Sequence, residues 1–431
     1  MKIQIDYGKT GLWIDVPEKN LAKILKMKPG KPLENPVAAL ESALQSPIAS
    51  EPLAKLARLH HRACIVICDI TRPVPNKILL PPILSVLEAN GIKRKDITIL
   101  IATGLHRPNW GAELEYLVGP EIAATYRIVN HDARNPASHT YLGTTSRGTP
   151  IWVDTTYIQA DLKITTGFIE PHLMAGFSGG RKLICPGISS QDTIRVMHSP
   201  KILEHPLACE GALNGNPFHE EALEIARTAG VDFIVNVALD EKRQITGIFA
   251  GDLMQAHQQG VTHVRNHVRD TVPEPVDIAI TTSAGFPLDA TFYQSIKGVT
   301  AALPIVKPGG TIILAAECAE GLGSPEFSQL VRETIDLQEF TQKIWQDDFF
   351  VIDQWQLEEL AKASRKAEVY LFSDGISPSD KANLPVVVID SIAQGIDRAR
   401  QRHGKNATIA VIPRGPYILA EVENGKQRGK V

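Results

Sequence analysis

Residues 64–76, Cys-Ile-Val-Ile-Cys-Asp-Ile-Thr-Arg-Pro-Val-Pro-Asn, decide the fold class. A short unbroken apolar run that halts at polar residues is the pattern of a strand buried on both faces, as in a parallel sheet. The proline-rich turn leads into a helical stretch, KILLPPILSVLEANG (77–91), and then into a second apolar run, ITILIATG (97–104). YRIVNHD (126–132) and DLKITTGFIE (161–170) repeat the pattern. Strands alternating with helices imply an α/β domain, and ligands in open α/β sheets bind at the C-terminal ends of the strands. Further on, FHEEALEIARTAG (218–230) reads as an amphipathic helix, and DFIVNVALD and QITGIFAGD (232–252) as a strand pair. The helix at 252–270 carries His257, His263 and His267, read as lying on a solvated face.

TVPEPVD (271–277) is the expected boundary, because two prolines and two acids interrupt the pattern. Beyond it the alternation restarts, with strands at VDIAITT (276–282), GGTIILAAE (309–317), EVYLFSD (368–374) and TIAVIP (408–413). The expected architecture is two α/β domains, 1–271 and 276–415, with a catalytic cleft between them. A charged tail, 416–431, returns to the first domain or frays.

Composition narrows the class. The 431 residues, 43% apolar and 22% charged, fit a globular protein too long for one ordinary core. A net charge of −3 and the lack of a long basic run argue against a nucleic-acid binder. No uncharged apolar stretch is long enough to span a membrane, and the N-terminus lacks the apolar core of a signal peptide. Five cysteines without a CxxC pair fit a reducing cytoplasm better than a disulfide framework or a thiolate metal site.

Five segments bring together chemically active residues at strand ends or helix starts. Asp69, Thr71 and Arg72 follow the first strand, where an arginine can grip a carboxylate or phosphate with two parallel hydrogen bonds. His106 follows the second. The third segment, Gly167 to Gly187, holds Glu170, His172, Ser178, Gly179, Gly180, Arg181 and Lys182. Its FSGGRK stretch reads as a phosphate cradle, although it is not a GxxxxGK[ST] loop. His198 lies near a helix end. Tyr293, Gln294 and Lys297 open the second domain, with Gln294 and Lys297 on one helix face.

Taken in this order and spacing, the five segments resemble the nickel-pincer lactate racemase family. The resemblance implies that Lys182 carries a covalently attached pyridinium thioamide/thiocarboxylate mononucleotide, a pincer that binds nickel through sulfur, carbon and sulfur. His198 would be the protein's ligand to the metal, and His106 and His172 the acid/base pair. Arg72, Gln294 and Lys297, with the neighbouring Tyr293, would hold the substrate. Asp69, Thr71 and Arg72 would support the cofactor, as would Ser178, Gly179 and Gly180. The implied activity is racemisation or epimerisation of a 2-hydroxy acid, lactate-like or larger, by proton-coupled hydride transfer to the pyridinium through a 2-keto acid. Separate accessory enzymes would build the cofactor. Two other readings remain at this stage. A zinc hydrolase or lyase would use His106, His172 and His198 as ligands. A nucleotide-binding module or methyltransferase is suggested by VKPGGTIIL (306–314).

Overall fold

The computed structural model describes residues 1–346 and 348–423. The apolar run at residues 64–68 lies in the strand Ala63–Cys68, near the middle of a six-stranded sheet. Its side chains alternate as a strand must. Ile65 and Ile67 enter one core cluster, Cys64 and Val66 the other, so both faces are covered. Across the sheet the order is Ile245–Gly251, Phe233–Leu239, Leu162–Phe168, Ala63–Cys68, Ile97–Ala102, Arg127–Asn130. All neighbours are parallel except Ile245–Gly251, which pairs antiparallel with Phe233–Leu239 as the expected strand pair.

The second sheet is parallel throughout, in the order Val387–Val388, Ala367–Phe372, Val306–Ala315, Val276–Thr282, Ile409–Ile412, Leu21–Ile24. The last strand corrects the boundary 1–271. The start of the chain builds the second sheet, not the first. The hairpin of Lys2–Ile5 and Leu12–Asp15 explains why: Ile3, Ile5 and Ile14 form an apolar face. That face packs with Ile278, Ile280 and Ile313 in one cluster. Val306–Ala315 is a strand inside this sheet, so the methyltransferase-like stretch is a turn into a core strand. At the other end, Leu419–Val422 lies parallel to Arg269–Val272, and Leu419 shares a cluster with Ile169 and Phe177. Residues 424–431 of the expected tail lie outside the described residues. Among the described residues no helix is long and apolar enough to cross a membrane.

One helix ties the two sheets together. Gln354–Ser364 packs on Phe292–Ala302, and its far end reaches the first domain. There Lys362 Nζ donates to the Leu203 carbonyl at 2.7 Å, and Arg365 pairs with Glu204 at 2.6 Å. Glu358 is fully buried in this seam, and neither of its oxygens has a partner. Burial above all, then Glu359 and Glu204, pushes its carboxyl up to about 9 from an ordinary 4.5. The folded state therefore keeps a proton that the unfolded chain releases, and stability falls as pH rises between these two values. Glu358→Gln, neutral at every pH, should melt higher than the parent at pH 8, with the gap closing toward pH 5. Melting curves at both pH values check this; a gap independent of pH would contradict it.

Candidate active site

The strand ends of the first sheet deliver three of the five segments, and a helix end at His198 the fourth, to one cavity of about 160 Å³. After Cys68 the chain turns through Asp69, whose Oδ1 accepts from the Thr71 hydroxyl at 2.6 Å and the Thr71 amide at 3.2 Å. This local closure is what an aspartate at a turn does best. It leaves Oδ2 for His106, whose Nδ1 stands 2.7 Å away. Burial raises the Asp69 carboxyl, but His106, Thr71 and Arg72 together outweigh it, and the group stays ionised below the usual carboxylate range. An ionised acceptor at Nδ1 fixes the proton there and leaves the His106 Nε2 lone pair free, the arrangement of a general base. The His106 side chain is 41% exposed, so that lone pair is within reach of a ligand. Arg72 Nε lies 3.4 Å from Glu170, and the Arg72 guanidinium lines the same cavity.

The third segment folds as a narrow ribbon, with Pro171 opposite Phe177 and His172 opposite Gly176, followed by a tight turn at Gly180–Leu183. Gly179 needs its missing side chain, since a Cβ there would sit 2.7 Å from Asn236 Oδ1 at φ +81°. Ser178, Gly179 and Lys182 line the cavity. Gly180 does not, because its amide donates to Asn236 Oδ1 at 2.8 Å. Arg181 is 1% exposed and points into the core, donating to the Ala175 carbonyl and lying 3.1 Å from His257 Nε2. The FSGGRK loop thus presents Ser178, Gly179 and Lys182 to the cavity, while the Gly180 amide and the Arg181 side chain are held by the protein. The expected solvated face is corrected at His257. At 4% exposure, with Nε2 2.9 Å from the Ser178 carbonyl, it props the loop from behind instead of facing solvent.

His198 ends the helix Gln191–Met197, which Ser190 caps at its other end. Burial pushes its imidazole down to about 4, so the ring is neutral. Nδ1 lies 2.9 Å from the Ile194 carbonyl and must donate, which leaves Nε2 unprotonated. Metal-binding histidines are held in the same way, by a carbonyl at the other ring nitrogen. Lys182 Nζ lies 2.7 Å from His172 Nε2, and burial first, then Arg72, Arg181 and Lys297, hold the amine well below the usual lysine range. A neutral amine and a histidine with a free Nε2 line one cavity, which fits a group attached to nitrogen and ligated at a metal. A cleft of about 890 Å³ shares Asp69, Thr71, Arg72, His106 and Gln294 with this cavity, giving room for something larger.

The second domain supplies the opposite wall. Thr291 caps the helix Phe292–Ala302, and Tyr293, Gln294 and Lys297 face the cavity from its first turns. Lys297 Nζ donates to Gln294 Oε1 at 2.5 Å. Burial and Arg72 bring the Lys297 amine down to about 7. Sequence reasoning missed Asp353, Trp355 and Gln356, which complete this wall. The Trp355 ring lies 4.5 Å from His198, and its Nε1 donates to the Tyr293 hydroxyl at 2.9 Å. A tryptophan at a helix start carries no signal of a histidine far upstream in the chain. The zinc reading loses ground here. His172 Nδ1 accepts two backbone amides, which puts its one proton on Nε2, and no cluster of three metal-ligating residues occurs among the described residues.

Two α/β units thus meet around buried imidazoles, a lysine amine held below its usual range and a guanidinium. Residues 7–211 match the lactate racemase N-terminal domain and 272–419 the lactate racemase C-terminal domain, so the chain belongs to the lactate racemase family. Two relatives carry the name lactate racemase. That of Thermoanaerobacterium thermosaccharolyticum is 34% identical over 421 residues, covering 97% of this chain and 98% of its own. That of Lactiplantibacillus plantarum is 35% identical over 425 residues, covering 97% and 99%. The solved lactate racemase apoprotein from T. thermosaccharolyticum superposes with a TM-score of 0.92 at 33% identity, over 97% of this chain and all of that one. A Thermotoga maritima protein of 18% identity shares the fold, with a TM-score of 0.69 over 91% of this chain and 99% of its own.

Proposed function

We propose that this chain interconverts the enantiomers of a 2-hydroxy acid, lactate or a larger relative, with a nickel-pincer nucleotide attached at Lys182 and nickel held by His198. The observation that carries the reading is the state of three side chains in one cavity: a neutral Lys182 amine, a His198 with its lone pair free, and a His106 set as a base by Asp69. When bound, the nickel-pincer group supplies a hydride acceptor, so the poorly acidic α-hydrogen need not leave as a proton. Arg72 and Lys297 grip the substrate carboxylate and offset its charge. His106 and His172 form the acid/base pair: His106 Nε2 takes the hydroxyl proton, and the Nε2–H of His172 is the proton donor on the other side. Closure of the two domains keeps water out of the exchange. Cofactor-building accessory enzymes act before this chain can work, and a cytoplasmic setting suits cysteines that form no disulfide.

The test is direct. Chain produced with those accessory enzymes is given single-enantiomer lactate and a panel of larger 2-hydroxy acids, and the products are separated on a chiral column. Racemisation of at least one substrate, with nickel co-purifying, is the expected outcome; loaded protein that leaves every enantiomer intact sinks the reading. Arg72→Ala should raise KM for the preferred acid about 100-fold, as expected for losing a charge-assisted bidentate contact. Initial rates over a substrate range check it, and an unchanged KM would remove Arg72 from the carboxylate.

A further inference from the structure

We infer that His172 and Lys182 form a latch: His172 caps Lys182 as a free amine, and covalent attachment at Lys182 releases His172 toward the substrate. The first half concerns the chain as it stands; the second rests on the cofactor reading above.

The argument is proton counting. His172 Nδ1 lies 3.2 Å from the amides of Met174 and Ala175, which can only donate, so Nδ1 presents a lone pair. A neutral imidazole has one N–H, which must then sit on Nε2. Lys182 Nζ is 2.7 Å from that atom. An ammonium has no lone pair to offer, so the lysine is a neutral amine accepting from His172. The ribbon enforces this geometry. Gly176, at φ +75°, closes it so tightly that a Cβ there would lie 2.0 Å from the Ala212 carbonyl. The electrostatics agree: burial first, then nearby cations, hold both His172 and Lys182 well below their usual ranges. Arg72, Arg181 and Lys297 press on the amine, and Glu170 opposes them. His198 and the thiols of Cys68 and Cys185 are the other titratable groups within its field.

A neutral amine attacks an acyl or thioacyl carbon. The nitrogen–carbon bond forms, hydroxide or hydrosulfide leaves, and the leaving group takes the proton that nitrogen sheds, so water or hydrogen sulfide departs. No oxidant is needed. The product nitrogen shares its lone pair with the new carbonyl-type group and no longer accepts a hydrogen bond. The Nε2–H of His172 then loses its partner and faces the cavity. Loading and catalysis are thereby ordered, since His172 is occupied until Lys182 has reacted.

Competitive labelling of the unloaded chain with trace acetic anhydride, read by peptide mass spectrometry across pH, tests the first half. The Lys182 midpoint should fall at least about two pH units below the ~10.4 of ordinary lysines. A midpoint among the other lysines overturns the latch. His172→Phe should raise the limiting labelling rate of Lys182 about fivefold, the worth of one ordinary hydrogen bond that no longer breaks first. His172→Gln, which can still donate, should restore the parental rate. If neither variant moves the rate, His172 is not the cap. For the second half, acetylating Lys182 should shift the ring ¹⁵N signals of His172, assigned by their loss in His172→Gln; unmoved signals remove the release step. All these measurements precede loading, so an unloaded chain that behaves this way yet never racemises would sink the proposed function and leave the latch standing.

Discussion

Lys182→Ala, produced alongside the accessory enzymes, emerges without the added mass of a nucleotide and racemises at least about 10³-fold more slowly than the parent. The magnitude follows from what attachment does. A reactive group held covalently acts at an effective concentration far above any free cofactor, and losing that advantage removes many powers of ten. Lys182→Arg should fail equally, since a guanidinium stays protonated and cannot act as an amine nucleophile. Neither loss should come from unfolding. Lys182 makes one side-chain hydrogen bond, to His172, and lies 5.6 Å from the Phe218 ring, where a neutral amine packs without a cation's attraction. Intact mass, nickel content and melting temperature separate the cases. A variant that keeps full activity, or that carries the adduct at another residue, would overturn the assignment of Lys182.

Asp69→Asn should lower kcat by about 10³- to 10⁴-fold with little change in KM. The reason is a reversed hydrogen bond. The introduced carboxamide would keep its oxygen on the Thr71 donors, which pins its nitrogen on His106 Nδ1. That nitrogen donates, so Nδ1 must accept and the ring proton moves to Nε2, where the base is needed. His106→Gln, which has no base at all, sets the floor for comparison. Enantiomers have equal free energy, so kcat/KM must fall by the same factor in both directions, and chiral initial rates from each side verify the assay internally. A variant that keeps more than about one-tenth of the parental kcat would show that Asp69 does not set the tautomer.

The readable parts of the molecule share a physical reason. Val66 and its neighbours are buried by strands on both sides, so composition alone marks that run as a strand. The polar residues that follow each run mark where chemistry can reach a ligand. For that reason Asp69, His106, Lys182 and His198 could be nominated before any fold was known, and all four line one cavity. Which sheet the start of the chain would join was not legible. Leu21–Ile24 could have joined either sheet, and only the packing of its hairpin on Ile278 and Ile280 decided.

The misread residues share a different reason. Arg181 and His257 are polar side chains whose patterns suggest exposure, yet they lie side by side inside the core, Arg181 donating to the Ala175 carbonyl and His257 to that of Ser178. Trp355 and Gln356 reach the site because Gln354–Ser364 bridges the domains, a relation between distant segments. The sequence by itself determined two α/β units with largely parallel sheets, the strand ends that bear reactive groups, and the residue types gathered there, because these follow from local polarity and periodicity. Only the tertiary structure decided the protonation states that make those residues useful: the proton on His106 Nδ1, the lone pairs on His198 Nε2 and Lys182, and the protonated Glu358 in the seam. Those states depend on which donor faces which acceptor once water is excluded, and that is settled by atoms brought together from far apart in the chain.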